Sequence, residues 1–184
     1  MKIYFISDEY GENGGGLSYA ALRLVSVIGQ LGHRIILDEI LTDSSIRYSI
    51  LGGYRKSLGY EIDLSMRMRL VTKCLVDNGV EVVMAFGCGR SALVAAEAIA
   101  RLPNVKFIIL PRGSDVNLCP YTESNLVRAR HILSQADAVV SLSQELEQAS
   151  RRIVDNRRTL YAVIPNLIEP LDVSRSENQT KVVI

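Results

Sequence analysis

Two hydrophobic rhythms alternate along this chain. Lys2–Ser7 is a short apolar run, rich in β-formers, that stops at Asp8-Glu9. From Leu17 the spacing changes: Leu17, Ala20, Ala21, Leu24, Val27, Ile28 and Leu31 recur at steps of three and four, which lays an apolar stripe along a helix. Gly32 stands where a helix-ending glycine belongs, and Arg34–Leu37 begins a second strand. The exchange then repeats. A helix over 63–77 carries Leu64, Met68, Val71 and Leu75 on one face and ends at Asn78-Gly79. The run 80–86, apolar except for Glu81, reads as a buried strand. An alanine-rich helix spans 91–102, with Glu97 and Arg101 four apart in the order that favours an ion pair. A strand at 105–110, a helix at 124–135 and a strand at 138–142 follow. The capping-box spacing of Ser141 and Gln144 opens a helix running to Ile153, and a strand at 160–164 stops at Pro165-Asn166.

Strands alternating with helices of roughly 12–16 residues predict α/β architecture, a doubly wound parallel sheet of Rossmann-like type. Such sheets bind ligands outside the carboxyl ends of their strands, where the strand order reverses. Three loops, 8–16, 87–90 and 111–115, belong to that edge. The first holds four glycines in six positions, Gly11 to Gly16, and lets backbone N–H groups approach an anion at a helix N-terminus. Gly14 and Gly16 match the first two glycines of a dinucleotide fingerprint, and Asp38 lies at about the distance of its ribose-binding acid. Tyr19 takes the third glycine's place, and the loop is longer than that motif. No Gly-Lys-Ser/Thr follows, so it is no P-loop; a glycine turn without a ligand is the plain alternative. In Arg112-Gly-Ser-Asp115, the guanidinium fork suits a phosphate or sugar hydroxyls and the carboxylate accepts from hydroxyls. The alternative is that Asp115 caps the turn while Arg112 faces solvent.

A length of 184 residues suits one such domain. With 21 Lys and Arg against 20 Asp and Glu, the net charge of +1 removes the case for a dedicated nucleic-acid binder. Cys74, Cys88 and Cys119 are odd in number and widely spaced, which indicates neither a disulfide framework nor a metal cluster and fits a reducing cytosol. The N-terminal apolar segment, six residues followed by two acids, reads as too short for a signal peptide, and no stretch approaches the ~18 apolar residues that span a bilayer. His33 and His131 read as structural or solvated, and Ser18 and Ser91 lack a nucleophile's surroundings. Residues 42–64, with interleaved Tyr, Arg and Gly, are either a surface excursion or a loop over an acceptor site. The basic residues at 128–131, 151–152 and 157–158 either form a solvated surface or face anionic lipid or an acidic acceptor.

Four segments in this order resemble the N-terminal half of a GT-B glycosyltransferase of family 4. They are Gly14-Gly-Gly16 with the helix closing in Gln30-Leu-Gly-His33; Leu110-Pro-Arg-Gly-Ser-Asp115; Ala136-Asp-Ala-Val-Val-Ser-Leu-Ser143; and Val163-Ile-Pro-Asn166. Arg112 stands where the family usually has histidine, and Leu167 where it has glycine. The resemblance implies two Rossmann-like domains, retention of configuration, a nucleotide-sugar donor, a carbohydrate or lipid-linked acceptor, no metal and no cofactor. It implies a cytoplasmic protein, with peripheral contact at the inner membrane face as one outcome. On it, residues 1–166 are the acceptor-side domain, 167–179 a linker, and 180–184 the first strand of a second domain; a last strand of this sheet is the alternative for that segment. Gly14, Gly15 and Gly16 would meet the donor diphosphate, Arg112 and Asp115 would serve catalysis, and Gly87, Arg90 and Ser114 would contact the acceptor. The competing readings are a stand-alone nucleotide- or dinucleotide-binding module and a structural interaction domain of flavodoxin-like form.

Overall fold

The computed structural model describes residues 1–8, 15–38, 60–117 and 122–166. The expectations for 42–59, for Gly14, and for the linker and strand in 167–184 lie outside those residues. The elements are β1 (Lys2–Ser7), α1 (Gly15–Gln30), β2 (Arg34–Leu37), α2 (Tyr60–Asn78), β3 (Val82–Phe86), α3 (Arg90–Ile99), β4 (Lys106–Leu110), α4 (Ser114–Asn117), α5 (Glu123–Ser134), β5 (Ala138–Ser141), α6 (Gln144–Ile153) and β6 (Leu160–Val163). The apolar runs pair in parallel in the order β2-β1-β3-β4-β5-β6. This is the doubly wound, Rossmann-like α/β sheet that the alternation predicts.

Side chains alternate across each strand, so each strand feeds two cores. Tyr4, Ile6, Val83, Ala85, Phe107 and Ile109 meet Val71 and Leu75 of α2, Val94 of α3, Ile132 of α5 and Leu146 of α6. Phe5, Phe86 and Leu110 meet Ala21 of α1 on the other side, with Ile3, Ile28 and Val82 beside them. Tyr4, Phe5 and Phe107 are among the largest fully buried side chains, and each such burial stabilises by about 1.5–3 kcal/mol.

Helix ends follow their local chemistry. Gly32 and Gly79 both have positive φ. In each case the glycine N–H returns to the third residue before it (Gly29 and Val76), and the next N–H reaches the fifth before that one (His33 to Ile28, Val80 to Leu75). These are paired Schellman closures. Three expectations shift. The inward stripe of α1 runs through Ala21, Leu24, Val25 and Ile28, while Val27 and Leu31 are 42% and 70% exposed. The helix meets the sheet on a narrower stripe than its composition offers. Helix α3 ends at Ile99, before Arg101, so Glu97 instead meets His131 Nε2 of α5 at 2.7 Å. Helix α6 is capped by Ser143, whose Oγ accepts from Leu146 N at 3.3 Å, because Ser141 is still the buried last residue of β5.

Candidate functional site

Strand β1 passes to β2 on one side and β3 passes to β4 on the other. The order therefore reverses between β1 and β3, and a crevice opens where Ser7 lies beside Phe86. Asp8 is the first residue past β1. Helix α3 has Gly89 at its N-cap position, which brings no capping side chain. Asp8 supplies the missing oxygen: its Oδ1 accepts from Ser91 N at 2.8 Å, across 83 residues of sequence. The carboxylate lies so close that any Cβ at position 89 would run into it. That close approach is why glycine stands there.

Beneath this cap lies a sealed polar network. Ser91 Oγ donates to the Ser7 carbonyl at 2.9 Å, and Arg67 Nη2 donates to Ser91 Oγ at 2.9 Å. The same nitrogen donates to Asp38 Oδ2 at 2.7 Å, while Tyr4 donates its hydroxyl to Asp38 Oδ1 at 2.9 Å. Asp38 is fully buried. Burial, then the charge of Asp38 and its hydrogen bond, push the Tyr4 phenol well above its ordinary pKa. Asp38 thus has both oxygens occupied inside the fold and none at a surface where a ribose could reach it.

The turn after β4 is braced by Asp115. Its carboxylate accepts from the N–H groups of Cys88 at 2.7 Å, Arg112 at 3.0 Å and Gly113 at 2.8 Å. The loops after β3 and β4 are thereby tied together at one carboxylate. Gly87 turns the chain with φ +97°, a conformation that L side chains rarely adopt. Arg112 is half-buried rather than free in solvent. Its guanidinium lies 4.1 Å from the Phe86 ring centre, and Nη2 donates to Asn166 Oδ1 at 3.1 Å. Burial lowers its pKa, with the Asp115 charge opposing that shift.

Four of the expected site residues gather at this edge: Gly87 and Arg112–Asp115 sit with Phe86, and Ser114, exposed, opens α4. Arg90, also exposed, opens α3, and Gly15 opens α1, with Gly16 exposed and open space where its Cβ would be. Ala21 of helix α1 belongs to the same apolar cluster as Phe86, with Ala20 packed against that cluster, so α1 covers the face of the sheet to which Phe86 belongs. Tyr19 is 66% exposed and points away from the strands, so the dinucleotide motif's third-glycine position has no packing role here. Asp8, Arg67, Phe86 and Asn166 complete the arrangement. Asp8 was legible as the acid that ends β1, and Asn166 as the last residue of the Val163-Ile-Pro-Asn166 segment; Phe86 was legible only as a strand end, and Arg67 was not singled out. Of the basic residues, Arg128 bonds Asn125, and Arg151 bonds Glu147 and stacks 3.9 Å from the Tyr161 ring centre. Among the described residues no group of three or more His, Cys, Asp and Glu has metal-binding geometry, and no helix is long and apolar enough to cross a membrane.

The fold has known company. The solved apo form of the lipopolysaccharide outer core galactosyltransferase WaaB matches 91% of this chain, with a TM-score of 0.60 and 14% identity. The two share a fold. The match spans 46% of the WaaB chain, so this chain corresponds to about half of that protein's length. No protein-family model and no curated protein sequence matches the chain.

Proposed function

We propose that this chain is the acceptor-side, N-terminal domain of a retaining, nucleotide-sugar-dependent glycosyltransferase of GT-B family 4, which moves a hexosyl unit to a glycan or lipid-linked acceptor. The observation that carries the reading is the approach to Phe86, beside the β1/β3 crevice, of two expected site elements: helix α1, whose Ala21 shares its apolar cluster, and the Arg112–Asp115 turn, whose guanidinium lies over its ring. A likeness covering about half of a galactosyltransferase chain supports it.

In this reading the first turn of α1, from Gly15 and Gly16, meets the donor diphosphate through backbone N–H groups. Arg112 meets substrate, while Asp115 positions the turn through its three amide contacts and does not itself touch substrate. Gly87, Arg90, Ser114 and the exposed Asp8 line the acceptor side. The second half of the cleft belongs to a second domain, and closing the two excludes water around the departing diphosphate. The reaction takes a nucleotide sugar as substrate and calls for no metal or cofactor. The enzyme works in the cytoplasm without nucleic acid, and exposed basic residues such as Arg152 contact the inner membrane face. A dinucleotide module would need an acid at the end of β2 to hold ribose, and Asp38 is fully buried between Tyr4 and Arg67.

The test is to assay the complete coding product against a panel of labelled nucleotide sugars, beside its Gly16→Val variant. Donor-dependent transfer that the variant loses while its unfolding midpoint is unchanged supports the reading. A product that turns over no nucleotide sugar yet binds a free dinucleotide would replace it with the module.

A further inference from the structure

The Arg112 side chain has an unbalanced set of contacts. A desolvated cation is costly unless an anion and hydrogen bonds compensate it. Arg112 is half-buried, yet among the described residues no carboxylate lies within ion-pair distance of its guanidinium. The nearest acid, Asp115, bonds to backbone N–H groups, including that of Arg112 itself, and accepts nothing from the guanidinium. The side chain's hydrogen-bond partner is a neutral amide oxygen, Asn166 Oδ1. Its Nε–H is buried and has no hydrogen-bond partner among the described residues. A guanidinium carries five N–H donors in a rigid fork; among the described residues one nitrogen of this fork has a protein partner, and its exposed donors are open to a ligand.

The same contacts fix where the fork stands. The Phe86 face holds the guanidinium plane 4.1 Å away, and Asn166 anchors one nitrogen. Phe86 and Asn166 come from opposite parts of the sheet, the end of β3 and the residues just past β6. An aromatic face and a neutral amide pre-position this positive charge and offset part of its desolvation, but supply no counter-ion. Little side-chain freedom is then left to lose when a ligand binds.

We propose that Arg112 is a specificity-determining contact for an oxyanion of the substrate, a phosphoryl or carboxylate group received by its unsatisfied fork. The inference rests on the transferase reading only for which substrate brings the anion: the diphosphate of a donor, or an acidic group borne on a sugar. Charge-assisted, fork-shaped contacts of this kind are about twice as strong as neutral hydrogen bonds. Hydroxyls of a neutral sugar can accept from the fork but leave its charge without a counter-ion.

The experiment is a titration of the 184-residue chain, followed by NMR, with inorganic pyrophosphate, glucose 1-phosphate, glucuronate and glucose. Wild type is expected to bind at least one of the three anions about tenfold or more tightly than glucose. Arg112→Gln is expected to lose that preference and to leave the weak response to glucose unchanged. Arg112→Lys keeps the charge and loses the fork; it is expected to fall about threefold to tenfold, which keeps the proposal testable should the glutamine variant fold poorly. Preference for glucose 1-phosphate or glucuronate over pyrophosphate assigns the anion to a group on the sugar; preference for pyrophosphate assigns it to a donor's diphosphate. Equal binding of glucose and all three anions overturns the proposal, and so does anion binding that survives both substitutions. Arg112-dependent anion binding in a protein that turns over no nucleotide sugar would uphold this inference and remove the transferase reading.

Discussion

Replacing Asp115 separates a brace from a catalytic group. Its carboxylate accepts three backbone N–H groups from two loops, at 2.7, 3.0 and 2.8 Å. A hydrogen bond to a charged group contributes about 1.5–3 kcal/mol, and an orphaned buried donor costs a similar amount. These amides are only partly buried, so water recovers some of that loss; about 1 kcal/mol for each gives roughly 3 kcal/mol for Asp115→Ala. Asp115→Asn keeps one acceptor oxygen but turns an NH2 donor toward amide donors, and is expected to cost about 1–2 kcal/mol. Urea unfolding of the chain measures both. With a slope near 2 kcal/mol per M, the alanine midpoint should fall by about 1.5 M at unchanged slope. An alanine variant within about 0.5 kcal/mol of wild type would refute the brace and free the carboxylate for contact with substrate.

Two further predictions follow from the neighbouring carboxylates. Asp8 caps α3 only because Gly89 leaves it room. Gly89→Ala and Asp8→Ala should therefore each cost about 1 kcal/mol, and the double variant should cost little more than either; additive losses would break the link between them. For Tyr4, burial and Asp38 raise the folded-state pKa above that of the unfolded chain. Its contribution is then whole below about pH 10, where the unfolded tyrosine begins to ionise, and declines above it by about 1.4 kcal/mol per pH unit. Tyr4→Phe, which lacks this ionisation, should be less stable than wild type at pH 8 with the gap narrowing above pH 10. Denaturant midpoints from pH 8 to 11 check this, and a gap that stays constant would contradict the buried pairing with Asp38.

Most of the architecture was legible because it is written locally. Val82–Phe86 and Phe107–Leu110 are unbroken apolar runs that suit a strand covered on both faces, and Gly32 and Gly79 mark helix ends through their own φ. Where one local signal competed with another, the reading slipped. Ser141 and Ser143 both suit a cap, and only strand pairing with Val163 decides that Ser141 belongs to β5. The polar groups at the site were legible as types but not as partners. Asp38 looked available because nothing near it in sequence occupies its oxygens, whereas Asp115 has local partners in the Arg112 and Gly113 N–H groups and a distant one that the sequence does not show. Their distant partners arrive from Tyr4 and Arg67, and from Cys88, through the sheet and its helices. The contacts of Arg112 with Phe86 and Asn166 are hidden for the same reason.

The place of β1 inside the sheet also sets a timetable for synthesis. This strand is made well before its neighbour β3, which ends at Phe86. At about 5–20 residues per second, Ile3–Ile6 waits roughly 4–16 s for that partner. During that interval a segment that ends up almost wholly buried has an open flank, available to a chaperone or to another nascent chain. The cap that Asp8 gives α3 forms only once β3 has docked. The crevice is therefore assembled by the closing of the sheet, and a ribosome pausing before Val82 would leave its first wall standing alone.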